Sequence, residues 1–436
     1  MNIEQERLIN KVVWFIPFKK FRNSVRELLN YLVENQNVII NNQEKIIENQ
    51  NIIMNNQSTN LNELIVKLKD INGCYEGYFE FLLKCQQLQY INAKKILLVS
   101  HYFGMTGAPL AIFNTAKALK DRGYYVTVIG FNTGYLTKWY YEADIDVFIS
   151  SKFERPNNVF IDSIKNFDFI FLNTVLSVNL AERIYNKIPY LWRIAEAESI
   201  ENIFINDFPN IFDVLKKVDN IYAVSKYVAD YLSKYNDNVN LLIYGFNDIS
   251  SNYLNKNKIE YNKVKFCTLS SYERPRKGHD VLINAIDLLE DDVKNRVEFY
   301  FIGEGLPNSF PGYDNIHSLG VKLGDDKYNI LAECDVLLHP ALDDPNPQAV
   351  MEGMMMHKPC IITDHVGQKD VIENGVDGFI VEAGNAQQLA NLIRDIVNNP
   401  SILEGIGEKS YLLYKKYFSF ENYISNVISI IEKGIK

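Results

Sequence analysis

The stretch Ile96-Leu-Leu-Val-Ser-His-Tyr-Phe-Gly-Met-Thr-Gly-Ala-Pro109, continued by Leu110 to Lys120 and then by Val126-Thr-Val-Ile129, sets the fold. Two short apolar runs flank a glycine turn and a helical segment. Gly104 and Gly107 permit a tight turn close to a ligand, and Pro109 suits the first position of a helix. The unpaired N–H groups and positive dipole end of that helix suit an anion, although many strand–helix turns share this glycine pattern.

The same texture continues along the chain. Apolar runs recur at Phe167–Leu172, Tyr190–Ile194, Ile221–Val224 and Leu241–Tyr244, then at Val264–Leu269, Val297–Ile302, Val336–His339, Cys360–Thr363 and Phe379–Val381. Runs this short, apolar throughout and separated by helices read as strands buried on both faces of a parallel sheet. The polar stretch 252–262 divides two such series. The expectation is an α/β chain with two doubly wound, Rossmann-like domains, at 91–258 and 259–418, and ligands beyond the carboxyl ends of the strands. Residues 419–436 are expected to form a helix crossing back to the first domain.

Residues 1–90 differ. Val33, Ile40, Ile47, Met54, Leu61 and Leu68 fall seven apart, with Gln36, Gln43, Gln50 and Gln57 and then Leu64 and Ile71 three positions later. A sustained seven-residue period keeps one seam facing a partner helix, so an α-helical coiled-coil-like segment and homo-oligomerisation through 28–71 are expected. A long helix packed on its own protein gives the same pattern. Upstream, Trp14, Phe15, Phe18 and Phe21 mix with Lys19, Lys20, Arg22 and Arg26 within 11–26. Such a stretch suits an anionic membrane surface, or equally a helix end docked on a neighbouring core.

Composition narrows the class. Of 436 residues, 47% are apolar and 23% charged, and Lys+Arg 45 against Asp+Glu 54 leaves a net charge of -9. That argues against a generic nucleic-acid binder, which shows a basic surplus. Five scattered cysteines without Cys/His clusters argue against a disulfide framework and a structural zinc site. No apolar run approaches the roughly 18 residues of a membrane span, so the expected location is cytoplasmic, or peripheral at the inner face of the plasma membrane.

Three loops carry candidate chemistry. Ser270-Ser-Tyr-Glu-Arg-Pro-Arg-Lys-Gly-His279 follows the strand ending at Leu269, and Arg274, Arg276 and Lys277 there suit a diphosphate. Phe301-Ile-Gly-Glu-Gly305 lets backbone at Gly303 and Glu304 approach a base or ribose. His339-Pro-Ala-Leu-Asp-Asp-Pro-Asn-Pro-Gln-Ala-Val-Met-Glu352 reads as a strand end, a proline-stiffened loop and a helix starting near Gln348. Asp344 and Glu352 are expected to face one pocket and accept hydrogen bonds from sugar and ribose hydroxyls. Asp364-His-Val-Gly-Gln-Lys-Asp370, with Gly367 and Gln368, is expected to complete the phosphate side. The bland alternatives are a solvated basic loop, a helix-start glutamate and a turn.

These residues carry a family resemblance over residues 94–435. Arg276-Lys-Gly-His-Asp-Val-Leu-Ile-Asn-Ala285, Phe301-Ile-Gly-Glu-Gly305, Cys334-Asp-Val-Leu-Leu-His-Pro340 and Asp344–Glu352 resemble the nucleotide-sugar domain of retaining GT-B glycosyltransferases, family 4. Asp344-Pro-Asn-Pro347, Thr106-Gly-Ala-Pro-Leu-Ala111 and Asn374-Gly-Val-Asp-Gly-Phe379 resemble a bacterial polysaccharide subgroup. The resemblance implies that Glu352 holds the donor ribose and Asp344 contacts the transferred sugar. Arg276 and Lys277, helped by Arg274, would neutralise the leaving diphosphate. Gly303, Glu304, Asn346, Gly367 and Gln368 would complete the donor side. Thr106 and Gly107 would face it from the other domain, and His101, Glu196 and Glu198 would lie on the acceptor side.

Two departures stand out. Tyr272 occupies a position where the family often has Arg, and Ala195 stands where the subgroup often has His. The resemblance implies transfer of a hexosyl group from a nucleotide diphosphate sugar to a lipid-linked or polysaccharide acceptor, with no metal and no other cofactor. The alternatives are a catalytically weak subunit that scaffolds partner transferases through its coiled coil, motivated by Ala195, and a sugar-nucleotide epimerase of GT-B shape.

Overall fold

The computed structural model describes residues 93–254, 263–272 and 275–435, without the side chains of Lys152, Asn202 and Ile203. The expectations for 11–26 and 28–71, and Arg274, lie outside the described residues. Two parallel sheets organise the rest. The first contains β1 (Lys95–Tyr102), β2 (Tyr125–Asn132), β3 (Asp146–Ile149), β4 (Phe169–Asn173), β5 (Tyr190–Ile194), β6 (Ile221–Ala223) and β7 (Val239–Leu241), in the order β3-β2-β1-β4-β5-β6-β7. The second contains β8 (Val264–Leu269), β9 (Val297–Ile302), β10 (Ile316–Ser318), β11 (Val336–His339), β12 (Cys360–Thr363) and β13 (Phe379–Val381), in the order β10-β9-β8-β11-β12-β13.

Each order reverses once, between β1 and β4 and between β8 and β11. A doubly wound sheet opens a crevice at that point, beyond the strand carboxyl ends. The central strands are sealed on both faces: Ile96, Leu97, Leu98 and Val99 of β1 are all fully buried. Each such side chain contributes about 1.5–3 kcal/mol on leaving water, which is why the runs are apolar rather than alternating.

The sheets differ from the sequence expectation at their rims. β3 and β10 are edge strands of four and three residues that are not among the expected runs: the apolar part of β3 is only Val147–Ile149, and β10 has one apolar residue, Ile316. The apolar run Leu241–Tyr244 is not a strand throughout. β7 ends at Leu241, and Leu242 and Tyr244 leave the sheet to join the first domain's core.

The helices that position the site are α1 (Gly107–Asp121), α2 (Lys226–Leu232), α3 (His279–Asp287), α4 (Gly324–Glu333), α5 (Gln348–Met355), α6 (Ile406–Tyr417) and α7 (Phe420–Gly434). α7 buries Tyr423, Ile424, Val427 and Ile431 in the first domain's core beside β1 and α1, and Tyr423 shares a hydroxyl hydrogen bond with Thr115 of α1 at 2.8 Å. The chain crosses between domains twice, side by side. Phe246 N–H donates to Phe418 O and Phe420 N–H donates to Phe246 O, both at 2.8 Å. Gly245 is required there, because a Cβ would lie 2.4 Å from Ser419 O. Among the described residues, no helix is long and apolar enough to cross a membrane.

Candidate active site between the two sheets

A cavity of about 900 Å³ opens at the carboxyl ends of both sheets. On the second domain's side, β8 delivers the loop to Arg276 and Lys277, and β11 delivers His339 and the loop to Pro347. Gly278 has φ +70°, and a Cβ there would lie 1.9 Å from Pro340 O. Only glycine lets these two loops touch. The contact is then fixed by hydrogen bonds: Leu342 N–H donates to Arg276 O, and Arg276 Nη1 donates to Asp343 O, both at 2.8 Å.

The centre of this wall is Asp344, 6% exposed. Its Oδ2 pairs with Lys277 Nζ and with His339 Nε2, the latter at 2.8 Å. Burial disfavours the Asp344 charge, but Lys277 and His339 overcome it and hold the carboxyl well below the usual carboxylate range. Burial pushes His339 down despite its bond to Asp344. The neighbouring His279, bonded through Nε2 to Ser270 Oγ at 2.9 Å, is lowered to about 4 by burial and then by His339. The wall therefore presents a fixed, charge-balanced cluster rather than a loose basic loop.

The opposite wall comes from β1, β4 and β5. Thr106 starts α1 without a side-chain cap, because its hydroxyl is taken by Tyr102. His101 is lowered to about 4 by burial and is neutral at physiological pH. Glu196 Oε2 accepts from Val175 N–H and Ala195 N–H, each at 3.0 Å. Burial raises the Glu196 carboxyl even so, against those amides and Arg193. The walls are joined directly: Gln348 Nε2 of α5 donates to Gly107 O at 2.7 Å. Tyr227 of α2 donates through N–H to Asp370 at 3.0 Å and through its hydroxyl to Asp343 at 3.3 Å.

Residues 92–238 match the family model described as glycosyl-transferase family 4, and residues 263–399 match the one described as glycosyl transferases group 1. By both halves, this chain belongs to the family 4, group 1 glycosyltransferases. It is 27% identical over 223 residues to an uncharacterized glycosyltransferase of Methanocaldococcus jannaschii, an alignment covering 49% of the chain and 60% of that protein. It is 26% identical over 157 residues to the lipopolysaccharide core biosynthesis glycosyltransferase LpsE of Rhizobium meliloti, covering 34% of the chain and 43% of that protein. The chain thus spans less than two thirds of these relatives' lengths. HepE of Anabaena, solved in complex with UDP-glucose, matches with a TM-score of 0.64 over 78% of this chain and 99% of its own, at 18% identity. That agreement is one of fold, the two-domain GT-B arrangement.

Within this chain, Asp344, Lys277, Arg276, Glu304, Asn346, Thr106, Gly107, His101 and Glu196 line the cavity. Glu352 does not share that lining with Asp344. It sits in the second turn of α5, 8% exposed, and its Oε1 accepts from Lys327 Nζ at 2.6 Å and Tyr328 hydroxyl at 3.0 Å, both on α4. Eight residues of separation span a loop and a helical turn, so the two carboxylates meet different neighbours. Gly303 approaches backbone rather than open space, since a Cβ there would lie 1.8 Å from Ser270 O.

Gly367 and Gln368 brace the acidic loop from behind: Gly367 N–H donates to Asp344 O at 3.0 Å, and Gln368 Nε2 donates to Asn346 Oδ1 at 3.1 Å. Glu198 is exposed and outside the lining. Tyr272, in the position often held by Arg, packs its ring against His279 and Phe310. Thr174, Arg193 and Tyr244 line the cavity without having been singled out in the sequence. An arginine inside the apolar run Tyr190–Ile194 was the available signal.

Proposed function

We propose that this chain transfers a hexosyl group from a nucleotide diphosphate sugar to a cell-envelope glycan, with retention at the anomeric carbon and without a metal. The observation that carries the reading is the Lys277–Asp344–His339 cluster facing the glycine turn of α1 across one cavity. Arg276 and Lys277 would offset charge on the departing diphosphate, and the start of α5 would add its positive dipole end. Asp344, held ionised, would accept from hydroxyls of the transferred sugar. Glu352 would take the ribose once Lys327 and Tyr328 release its Oε1, and Glu196 would accept from the acceptor hydroxyl.

The chemistry balances without an added base. The bond from the anomeric carbon to the phosphate oxygen breaks, the acceptor oxygen bonds to that carbon on the same face, and the acceptor's proton leaves on the diphosphate. The polysaccharide assignment is supported by LpsE, named for lipopolysaccharide core biosynthesis. Peripheral membrane placement through 11–26 and self-association through 28–71 belong to the same reading. The test is release of nucleoside diphosphate from a panel of nucleotide sugars, with the anomeric configuration of the product read by proton NMR. Inversion would remove retention from the proposal; no transfer with any donor would remove the activity.

A further inference from the structure

The first domain's wall holds a cation with no hydrogen-bonded counter-ion among the described residues. Arg193 on β5 is 2% exposed. Its Nε and Nη2 donate to Asn173 Oδ1 at 3.1 and 2.9 Å, and Nη1 reaches Tyr423 hydroxyl at 3.5 Å. Its guanidinium lies over the Phe171 and Tyr244 rings, 5.7 and 5.9 Å from their centroids. None of these partners is a carboxylate. Glu196 acts on it only through its field, with Oε2 engaged by two backbone amides. A guanidinium has five N–H donors, so this one keeps unused donors, and a buried charge without a partner is strongly destabilising. Such a residue is retained where something that binds completes it.

A second observation stands beside it. Thr174, at the carboxyl end of β4, has φ 65° and ψ 164°, a region otherwise left to glycine. It is 2% exposed, and its Oγ1 has no hydrogen-bond partner among the described residues. The strain is enforced by neighbours: Thr174 N–H donates to Arg193 O, and Trp192 Nε1 donates to Thr174 O, both at 2.8 Å. His101 Nδ1 is likewise buried and, among the described residues, without a partner. All three residues line the cavity at the point where the strand order reverses. Arg276 and Lys277 lie on the other domain's loops and already bond Asp343 and Asp344, so this is a separate site.

We propose that this wall is an oxyanion subsite, and that the acceptor glycan carries a phosphoryl or carboxylate group gripped by the Arg193 guanidinium and the Thr174 hydroxyl. The His101 ring supplies a further donor. A planar fork matches an oxyanion bidentately, and the unbonded hydroxyl and imidazole nitrogen gain the partners they lack. The word acceptor rests on the transferase reading; the subsite itself does not.

The test is calorimetric titration of the full chain with inorganic phosphate, glucose 6-phosphate, glucuronate and glucose. Each titration is run with the donor site saturated by whichever nucleoside diphosphate binds, and again without nucleotide. The tighter of glucose 6-phosphate and glucuronate names the anionic group. Arg193→Met is expected to weaken that anion at least about tenfold and Thr174→Val about threefold, with nucleotide affinity unchanged within about twofold. Arg193→Lys, which keeps the charge but not the fork, serves if the Met variant does not fold, and is expected to weaken the anion about fivefold. Glucose binding as well as its anionic relatives, anion affinity that survives both Arg193 changes, or no anion binding at all would each overturn the subsite. Arg193-dependent phosphate binding with no nucleotide binding would sink the donor reading and leave the subsite standing.

Discussion

The Lys277–Asp344 pair can be dissected by changing Lys277→Met, Asp344→Asn, and both together. Removing one partner of a buried pair costs about 3–5 kcal/mol, because the other charge is left uncompensated. Here the side chains keep 14% and 8% of their exposure at the edge of the cavity, so water offsets part of that. We expect about 2–3 kcal/mol for Lys277→Met. His339 keeps its 2.8 Å bond to Asp344 in that variant, and its imidazole, freed from Lys277, should move up toward its ordinary pKa.

The double variant removes both charges and should cost less than the sum of the two single changes, with a coupling of about 1 kcal/mol or more. Urea unfolding of the full chain at pH 7.5 gives the free energies, and histidine NMR gives the His339 titration. An additive cycle, with coupling below about 0.5 kcal/mol, would mean that the pair is not a unit and that Asp344 is held by His339 without help from Lys277.

Further consequences follow from the same walls. His101 and His279 fall from 6.5 to about 4 on folding, so the unfolded chain binds their protons first and stability is lost as pH drops from about 6.5 toward 4. Near pH 5.2 each adds about 1.2 kcal/mol per pH unit, opposed in part by the raised carboxyls of Glu196 and Asp343. His339, also pushed down by burial, adds slope of the same sign, so His279→Gln should remove a part of the histidine slope in urea midpoints measured from pH 7 to 5, and an unchanged slope would contradict this assignment. Gly278→Ala forces a Cβ to 1.9 Å from Pro340 O at φ +70°, and should destabilise by about 3 kcal/mol or more, seen as a lowered urea midpoint with the nucleotide site lost. Gln348→Ala deletes the 2.7 Å bond to Gly107 O, and should lower turnover about three- to tenfold while small-angle scattering shows a larger radius of gyration.

Much of the fold was legible because a strand buried on both faces has no alternation to hide in. Tyr190–Ile194, Val264–Leu269, Val297–Ile302, Val336–His339, Cys360–Thr363 and Phe379–Val381 form strands with the bounds read from the sequence. The edge strands Asp146–Ile149 and Ile316–Ser318 escaped because they are short: the first offers only three apolar residues in a row, and the second has one, at a rim that tolerates polar side chains. The helix after the glycine turn begins at Gly107 rather than Leu110, since Thr106 supplies only its backbone carbonyl, to Leu110 N–H at 3.1 Å.

The site was legible where loops carry charge, as at Arg276, Lys277 and Asp344. It was not legible where the cavity lining comes from inside the sheet. Arg193 looks like a strand residue until its partners prove to be amide, hydroxyl and rings. Thr174 gives no sign of positive φ, a conformation that sequence reserves for Gly and Asn. Glu352 shows the converse: its spacing from Asp344 suggested one pocket, but α4, between β10 and β11, brings Lys327 and Tyr328 to it from 25 and 24 residues upstream.

Thermal stabilisation of the full chain by UDP, GDP, dTDP, CDP and ADP tests for the proposed nucleotide site at the carboxyl ends of β8 and β11. At about 100 times its dissociation constant, one nucleotide should add roughly 2.7 kcal/mol. That gain should vanish in Arg276→Met and in the Lys277→Met, Asp344→Asn double variant. No stabilisation by any of the five at millimolar concentration, or equal stabilisation of wild type and both variants, would contradict the account.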